Sequence, residues 1–266
     1  MLFLDRELPH CGGRSVRELL VVAGGLWIIA SDLARPGPPD VGNLLVYVGA
    51  TLLLALRFFA ARAAAVGACI GAIVQQWPHL RLGEWDAETL AVVPVVGIAL
   101  LASSDLVDRY ERAPSRLRWL PNPWAGFTAA ETRSLRWAAY AAGALSGLLD
   151  HTLQLVRWHT DLVHAPTPWW PRVAMVALML ALALLCLGRA VGALLVWVTA
   201  VTVAALAAPL AWRAEAVLRG TAPAASADFI YVHAAHYLLP VLLLATAAAL
   251  ITTPAVLRLL RRTVLA

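Results

Sequence analysis

Between Val16 and Thr252 the chain is a succession of apolar runs, at roughly 16–33, 41–60, 62–77, 89–106, 134–156, 172–188, 190–211 and 229–252, parted by short breaks rich in arginine, glycine or proline. A helix of ~20 apolar residues crosses a ~30 Å hydrocarbon core and satisfies every backbone N–H and C=O within itself, where no water can do so. The repeated runs therefore predict an all-α polytopic membrane protein, with about eight transmembrane helices in one bundle spanning residues 1–266 as a single domain. The ~10-residue alternating segments of a membrane β-barrel are not found. Composition points the same way: 61% hydrophobic residues, 14% charged residues and a mean hydropathy of +0.74 lie outside the range of a soluble domain.

Two of the breaks decide the helix count. The stretch from Val41 to Trp77 is too long for one crossing, and Arg57 and Arg62 would be costly in lipid, so a tight interfacial turn is expected between them. A second tight turn is expected at Leu187-Gly188-Arg189, where glycine ends one helix and arginine marks the water boundary. Without either turn the count falls to seven.

Arginine then orients the bundle, because it accumulates in short cytoplasmic loops. An N-terminus placed inside puts fifteen of the twenty-one basic residues in the cytoplasm and leaves Arg35, Arg81, Arg157, Arg172, Arg213 and Arg219 outside. The sixteen carboxylates split seven inside and nine outside, so arginine alone carries the bias. Both termini are expected in the cytoplasm, and the chain in a bacterial inner (plasma) membrane, with the first helix retained rather than cleaved. The basic residues lie scattered over short loops, which predicts no nucleic-acid partner. Lysine does not occur, so a retinal-type Schiff base is excluded, a phosphate loop ending in lysine does not exist, and no nucleotide is expected. The longest cytoplasmic loop, Asp105 to Arg136, carries Arg109, Arg112, Arg116 and Arg118 beside Trp119 and Trp124, a pattern suited to contact with lipid head groups or a cytoplasmic partner.

This topology also sorts the histidines: six of the seven fall outside and only His10 inside. The outer residues form three groups. Asp150 and His151 lie near the outer end of the fifth run, with His159, Asp161 and His164 beyond Arg157 in a segment expected to fold back over them before Pro166. Asp228, His233 and His236 begin the last run, the two histidines three apart and so neighbours on one helical face, with Pro240 expected to kink the helix beyond them. His79 stands at the third run's outer end. Imidazole and carboxylate together suit zinc, copper or non-haem iron, and ionisable groups at membrane depth are functional candidates because their desolvation must be compensated. His233, His236, His151 and Asp150 are the expected ligands, with His79, His159, Asp161, His164 and Asp228 as further candidates. One outer b-type haem on two of these histidines is a related expectation.

Other readings use the same residues differently. A histidine and carboxylate at the interface could accept protons from a quinol without a metal. A non-catalytic subunit of a larger complex, or a homo-oligomer, would use the small-residue runs Ala60 to Ala72 and Ala138 to Gly147 for close helix packing. Cys11, Cys69 and Cys186 are isolated, which argues against disulfides and a thiolate metal site; Cys69 reads as a small apolar filler before it reads as a nucleophile. No internal repeat is found.

Overall fold

The computed structural model describes residues 3–34, 41–58, 61–81, 85–111, 128–163, 169–221 and 228–264; side chains at 75–91, 150–163 and 228–237 lie outside that description. The described chain is helical almost throughout. A hairpin of β1 (Glu7–Leu8) and β2 (Arg14–Ser15), antiparallel with Glu7 opposite Ser15, precedes the helices. They are α1 (Val16–Leu33), α2 (Val41–Ala55), α3 (Ala61–Arg81), α4 (Trp85–Leu101), α5 (Ser104–Glu111), α6 (Ala129–Val163), α7 (Trp170–Cys186), α8 (Val191–Leu218) and α9 (Asp228–Val264).

Each expected run contains a helix, but the run at 41–60 is helical only to Ala55 and the run at 89–106 breaks after Leu101, at Ala102 and Ser103, into α4 and α5. A tight turn follows α2 at Leu56–Phe58 and another follows α7 at Leu187–Arg189. Three helices end in the same six-residue hydrogen-bonded turn. After α7, Gly188 N–H donates to Leu185 O and Arg189 N–H to Leu184 O; after α8, Gly220 and Thr221 repeat the pattern; after α2, Arg57 and Phe58 do so. The motif requires a left-handed residue, and glycine supplies it twice, at φ 71° and 69°. At the α2 end the residue is Arg57, at φ 55°.

Among the described residues, two stretches of helix, Val191–Val217 in α8 and Leu238–Arg261 in α9, are long and apolar enough to cross a membrane. Shorter apolar helices cover Ala61–Val74, Val92–Leu101 and Trp170–Cys186. Helix also extends beyond the expected runs. The Asp105–Arg136 loop is shortened at both ends, by α5 and by the first two turns of α6. The segment expected to fold back after Arg157 instead continues α6 to Val163, and α9 runs unbroken through Pro240. At ~1.5 Å per residue, α6 and α9 are roughly 50–55 Å long, well beyond a ~30 Å hydrocarbon layer.

The core lies where α6, α7, α8 and α9 meet, around Leu145, Leu148, Leu178, Leu185, Val196 and Val241, all fully buried. α8 and α9 pack antiparallel, with Trp197 Nε1 donating to Thr253 Oγ1 at 3.1 Å. α3 and α6 run parallel and touch backbone to backbone. Gly67 and Gly71 of α3 lie against Tyr140 and Ala144 of α6, while Gly143 and Gly147 of α6 lie against Ala64 and Ala68 of α3. The two small-residue runs are thus the two halves of one helix interface.

These pairings give the bundle two ends. α1, α3, α6 and α8 start at the end where α2, α4, α7 and α9 finish, and the N-terminal hairpin and α5 sit there too.

Candidate functional site

At the hairpin end, charge is buried. Ser15 precedes α1 and its Oγ accepts the Glu18 N–H at 3.3 Å, the first half of a capping box. The Glu18 carboxylate does not return to Ser15; it is fully buried and meets two arginines, Arg57 from the distant α2–α3 turn and Arg14 of β2, four residues before it. Arg57 Nε donates to Oε1 at 2.7 Å and Nη2 to Oε2 at 2.5 Å, a bidentate pair, and Arg14 Nη1 reaches Oε1 at 3.1 Å. The pair explains an arginine in the left-handed position after α2: that turn aims its guanidinium at Glu18 and, at 3.3 Å, at Gly13 O.

Several arginines at this end also bind carbonyls in the last turns of helices, where the helix dipole favours a cation. Arg14 Nη2 donates to Ala55 O, and Tyr110 Oη to Leu54 O at 2.6 Å, closing α2. Arg17 Nη1 donates to Ala99 O at 3.0 Å while its Nε pairs with Asp5 at 2.9 Å. Arg62, itself buried, donates to Leu101 O and to Tyr140 Oη, each at 2.7 Å. Arg109 pairs with Asp105 at 2.8 Å and with Glu7 at 2.7 Å, and donates to Gly13 O. Burial weakens its proton affinity, but hydrogen bonds and charge from Asp105 and Glu7 outweigh this and raise its pKa. Burial, then the nearby Glu18 charge, pushes the Tyr110 phenol well above its ordinary value of 10.0. These groups are committed to one another and to helix ends, which suits a latch on the N-terminal segment rather than a reaction centre.

A cavity of about 540 Å³ opens at the same end, between the start of α6, the α7–α8 turn and the end of α9. Glu131, Ser134, Arg189 and Arg258 line it. Glu131 closes a full capping box with Thr128, and Arg258 donates to Ala130 O and Ser134 Oγ, tying α9 to the start of α6.

The histidine and aspartate residues predicted as ligands belong to the other end. Asp150, His151, His159 and Asp161 fall in the C-terminal half of α6, Asp228, His233 and His236 in the first turns of α9, and His79 in the last turn of α3. Their side chains, and all of His164, lie outside the described residues. So do Arg112, Arg116 and Arg118; of the predicted lipid-contact arginines only Arg109 is described, and it faces Glu7 and Asp105. Among the described residues no three histidine, cysteine, aspartate or glutamate side chains are grouped to hold a metal ion. α6 and α9 pack directly, and the Arg258 contact to Ala130 shows them antiparallel, so the two histidine-bearing segments belong to the same end.

Sequence reasoning assigned no role to Glu18, Tyr110 or Tyr140, and read Arg57 and Arg62 only as turn markers. One signal was available for Glu18: a carboxylate three residues into an apolar run, flanked by Arg14 and Arg17. No protein-family model, curated protein or solved structure matches this chain.

Proposed function

We propose that this chain is a multi-pass inner-membrane protein whose eight longer helices all cross the bilayer, with the hairpin end in the cytoplasm and an outward His/Asp end that holds a transition metal or redox-linked group. The direct antiparallel packing of α6 on α9 carries this reading, because it assigns the helix segments bearing His151 and His159, and His233 and His236, to one end.

The membrane half of the proposal is supported by the apolar surface. Trp27, Leu45, Val176, Trp212 and Leu250 are each more than 65% exposed, on five different helices. An apolar surface spread this widely is unfavourable in water and favourable against acyl chains. The orientation is testable with a native residue. Cys11 is exposed at the hairpin end, whereas Cys69 and Cys186 lie within helices. A membrane-impermeant maleimide is expected to label Cys11 in inverted vesicles and to leave it unlabelled in intact spheroplasts; the opposite pattern would reverse the topology.

The site is tested by elemental analysis and an optical spectrum of protein purified without chelator. A stoichiometric metal or a haem band is expected in the wild type and is expected to be lost in His233→Ala/His236→Ala. A metal-free wild type would reject the metal reading and favour a quinone pocket or an assembly subunit.

A further inference from the structure

A second cavity, also about 540 Å³, runs along α6 between α3, α5 and α9, and its two ends differ in chemistry. Arg62, Arg133 and Arg136 line one end, with Trp137 half exposed beside them. Val66, Ile70, Leu244 and Ile251 line the rest, and no carboxylate lines it anywhere among the described residues. From Arg133 to Ala144 the groove follows α6 for about 16 Å. Its volume falls in the ~300–1,000 Å³ range of small-molecule sites.

The basic end is built in part from a fixed charge. Arg62 is held by Leu101 O and Tyr140 Oη and lies 5.9 Å from the Tyr140 ring centroid, so it contributes a positive field without swinging away. Arg133, one turn before Trp137, is exposed, and its guanidinium is available to a ligand. The apolar end opens sideways: Ile70 and Ile251 are 37% and 42% exposed. A water-soluble anion would match the positive field and leave the apolar length empty, and a neutral hydrocarbon would match the wall and leave the exposed Arg133 unanswered.

We propose that this groove binds a single anionic phospholipid of the cytoplasmic leaflet, its phosphate on Arg133 and Arg136 and one acyl chain along Val66, Ile70, Leu244 and Ile251. Guanidinium forks match phosphate oxygens in geometry and charge, and Trp137 sits at the depth where indoles favour the head-group boundary. The proposal rests on the membrane orientation given above.

Native mass spectrometry of protein reconstituted with phosphatidylglycerol and phosphatidylcholine, then released from detergent, tests it. Wild type is expected to retain one phosphatidylglycerol in preference to phosphatidylcholine. Retention is expected to fall at least roughly tenfold in Arg133→Gln/Arg136→Gln, since two charge-assisted contacts are lost. Ala247→Phe, which fills the groove without touching the arginines, is expected to reduce retention as well. Arg189→Gln/Arg261→Gln removes the same charge at the same end outside the groove and is expected to retain the lipid. Equal retention by Arg133→Gln/Arg136→Gln and wild type, equal loss in the Arg189→Gln/Arg261→Gln control, or no preference for the anionic lipid would each overturn the proposal. Displacement of the lipid by inorganic phosphate, with Ala247→Phe without effect, would show a bare phosphate site and overturn the acyl-chain assignment. Outward labelling of Cys11 would overturn the leaflet; lost lipid retention with Cys11 inward would overturn the groove alone.

Discussion

Glu18→Gln is expected to destabilise the protein by about 3 kcal/mol, the low end of the ~3–5 kcal/mol seen when one member of a buried ion pair is removed. The substitution keeps shape and volume, so the loss is electrostatic. It strands Arg57, whose side chain is 11% exposed, against a neutral amide; Arg14, at 20%, hydrates more readily, which is why the low end applies. The consequence reaches beyond the pair. Arg57 occupies a left-handed backbone position that suits glycine, so with the pair gone the α2–α3 turn keeps its strain and loses the contact that offset it. The double variant Glu18→Gln/Arg57→Gly is therefore expected to recover part of the loss, since glycine takes that conformation freely and only Arg14, the more exposed of the two arginines, is left without the carboxylate. Thermal unfolding in one detergent, followed by tryptophan fluorescence or size-exclusion survival, measures both. A midpoint unmoved by Glu18→Gln would mean the carboxylate is hydrated and the latch does not hold the N-terminal segment.

The second large effect belongs to the α3–α6 interface, and it is graded. A Cβ at Gly143 would run into Ala64 O, one at Gly67 into Tyr140 O and one at Gly71 into Ala144 O, all backbone atoms that cannot swing aside. At Gly147 the nearest atom is Ala68 O at 2.9 Å, and at Gly24 and Gly49 nothing lies within 4 Å. Gly67→Leu and Gly143→Leu are expected to force the helices apart at a cost of about 3 kcal/mol, the upper end of overpacking effects, because close backbone contact along the whole interface is lost together. Gly147→Ala is expected to cost less. Gly24→Ala is expected to be neutral or to stabilise by up to ~1 kcal/mol through helix propensity. Equal melting midpoints for Gly143→Leu and Gly24→Ala would show that α3 and α6 do not meet at these glycines.

Much of the local structure was legible in advance. Residues 16–33 form one helix with the bounds expected, because an apolar run flanked by Ser15 and by a proline-rich break leaves little alternative. Gly188 announced its turn, and Arg57 to Arg62 announced another through the cost of charge in lipid. The length of α6 was not legible. Its last two turns, from Arg157 to Val163, are polar enough to read as a fold-back, and a polar helix carries no signal beyond weak propensity. The alanine- and glycine-rich runs were recognised as packing surfaces, but not as partners of each other.

Local patterning thus determined that the chain is helical, where most helices begin, and which small residues face a neighbour, because each of these depends on residues within a turn or two. Which helix meets which, and what the arginines do there, was decided by the tertiary structure. Glu18 and Arg57 are 39 residues apart and Arg17 reaches Ala99 across 82. Apolar helices of similar composition offer one another nearly equal partners. The choice among them rests on where a missing Cβ lets two backbones touch and where a buried charge finds its counterion, and neither is written in the periodicity of a single run.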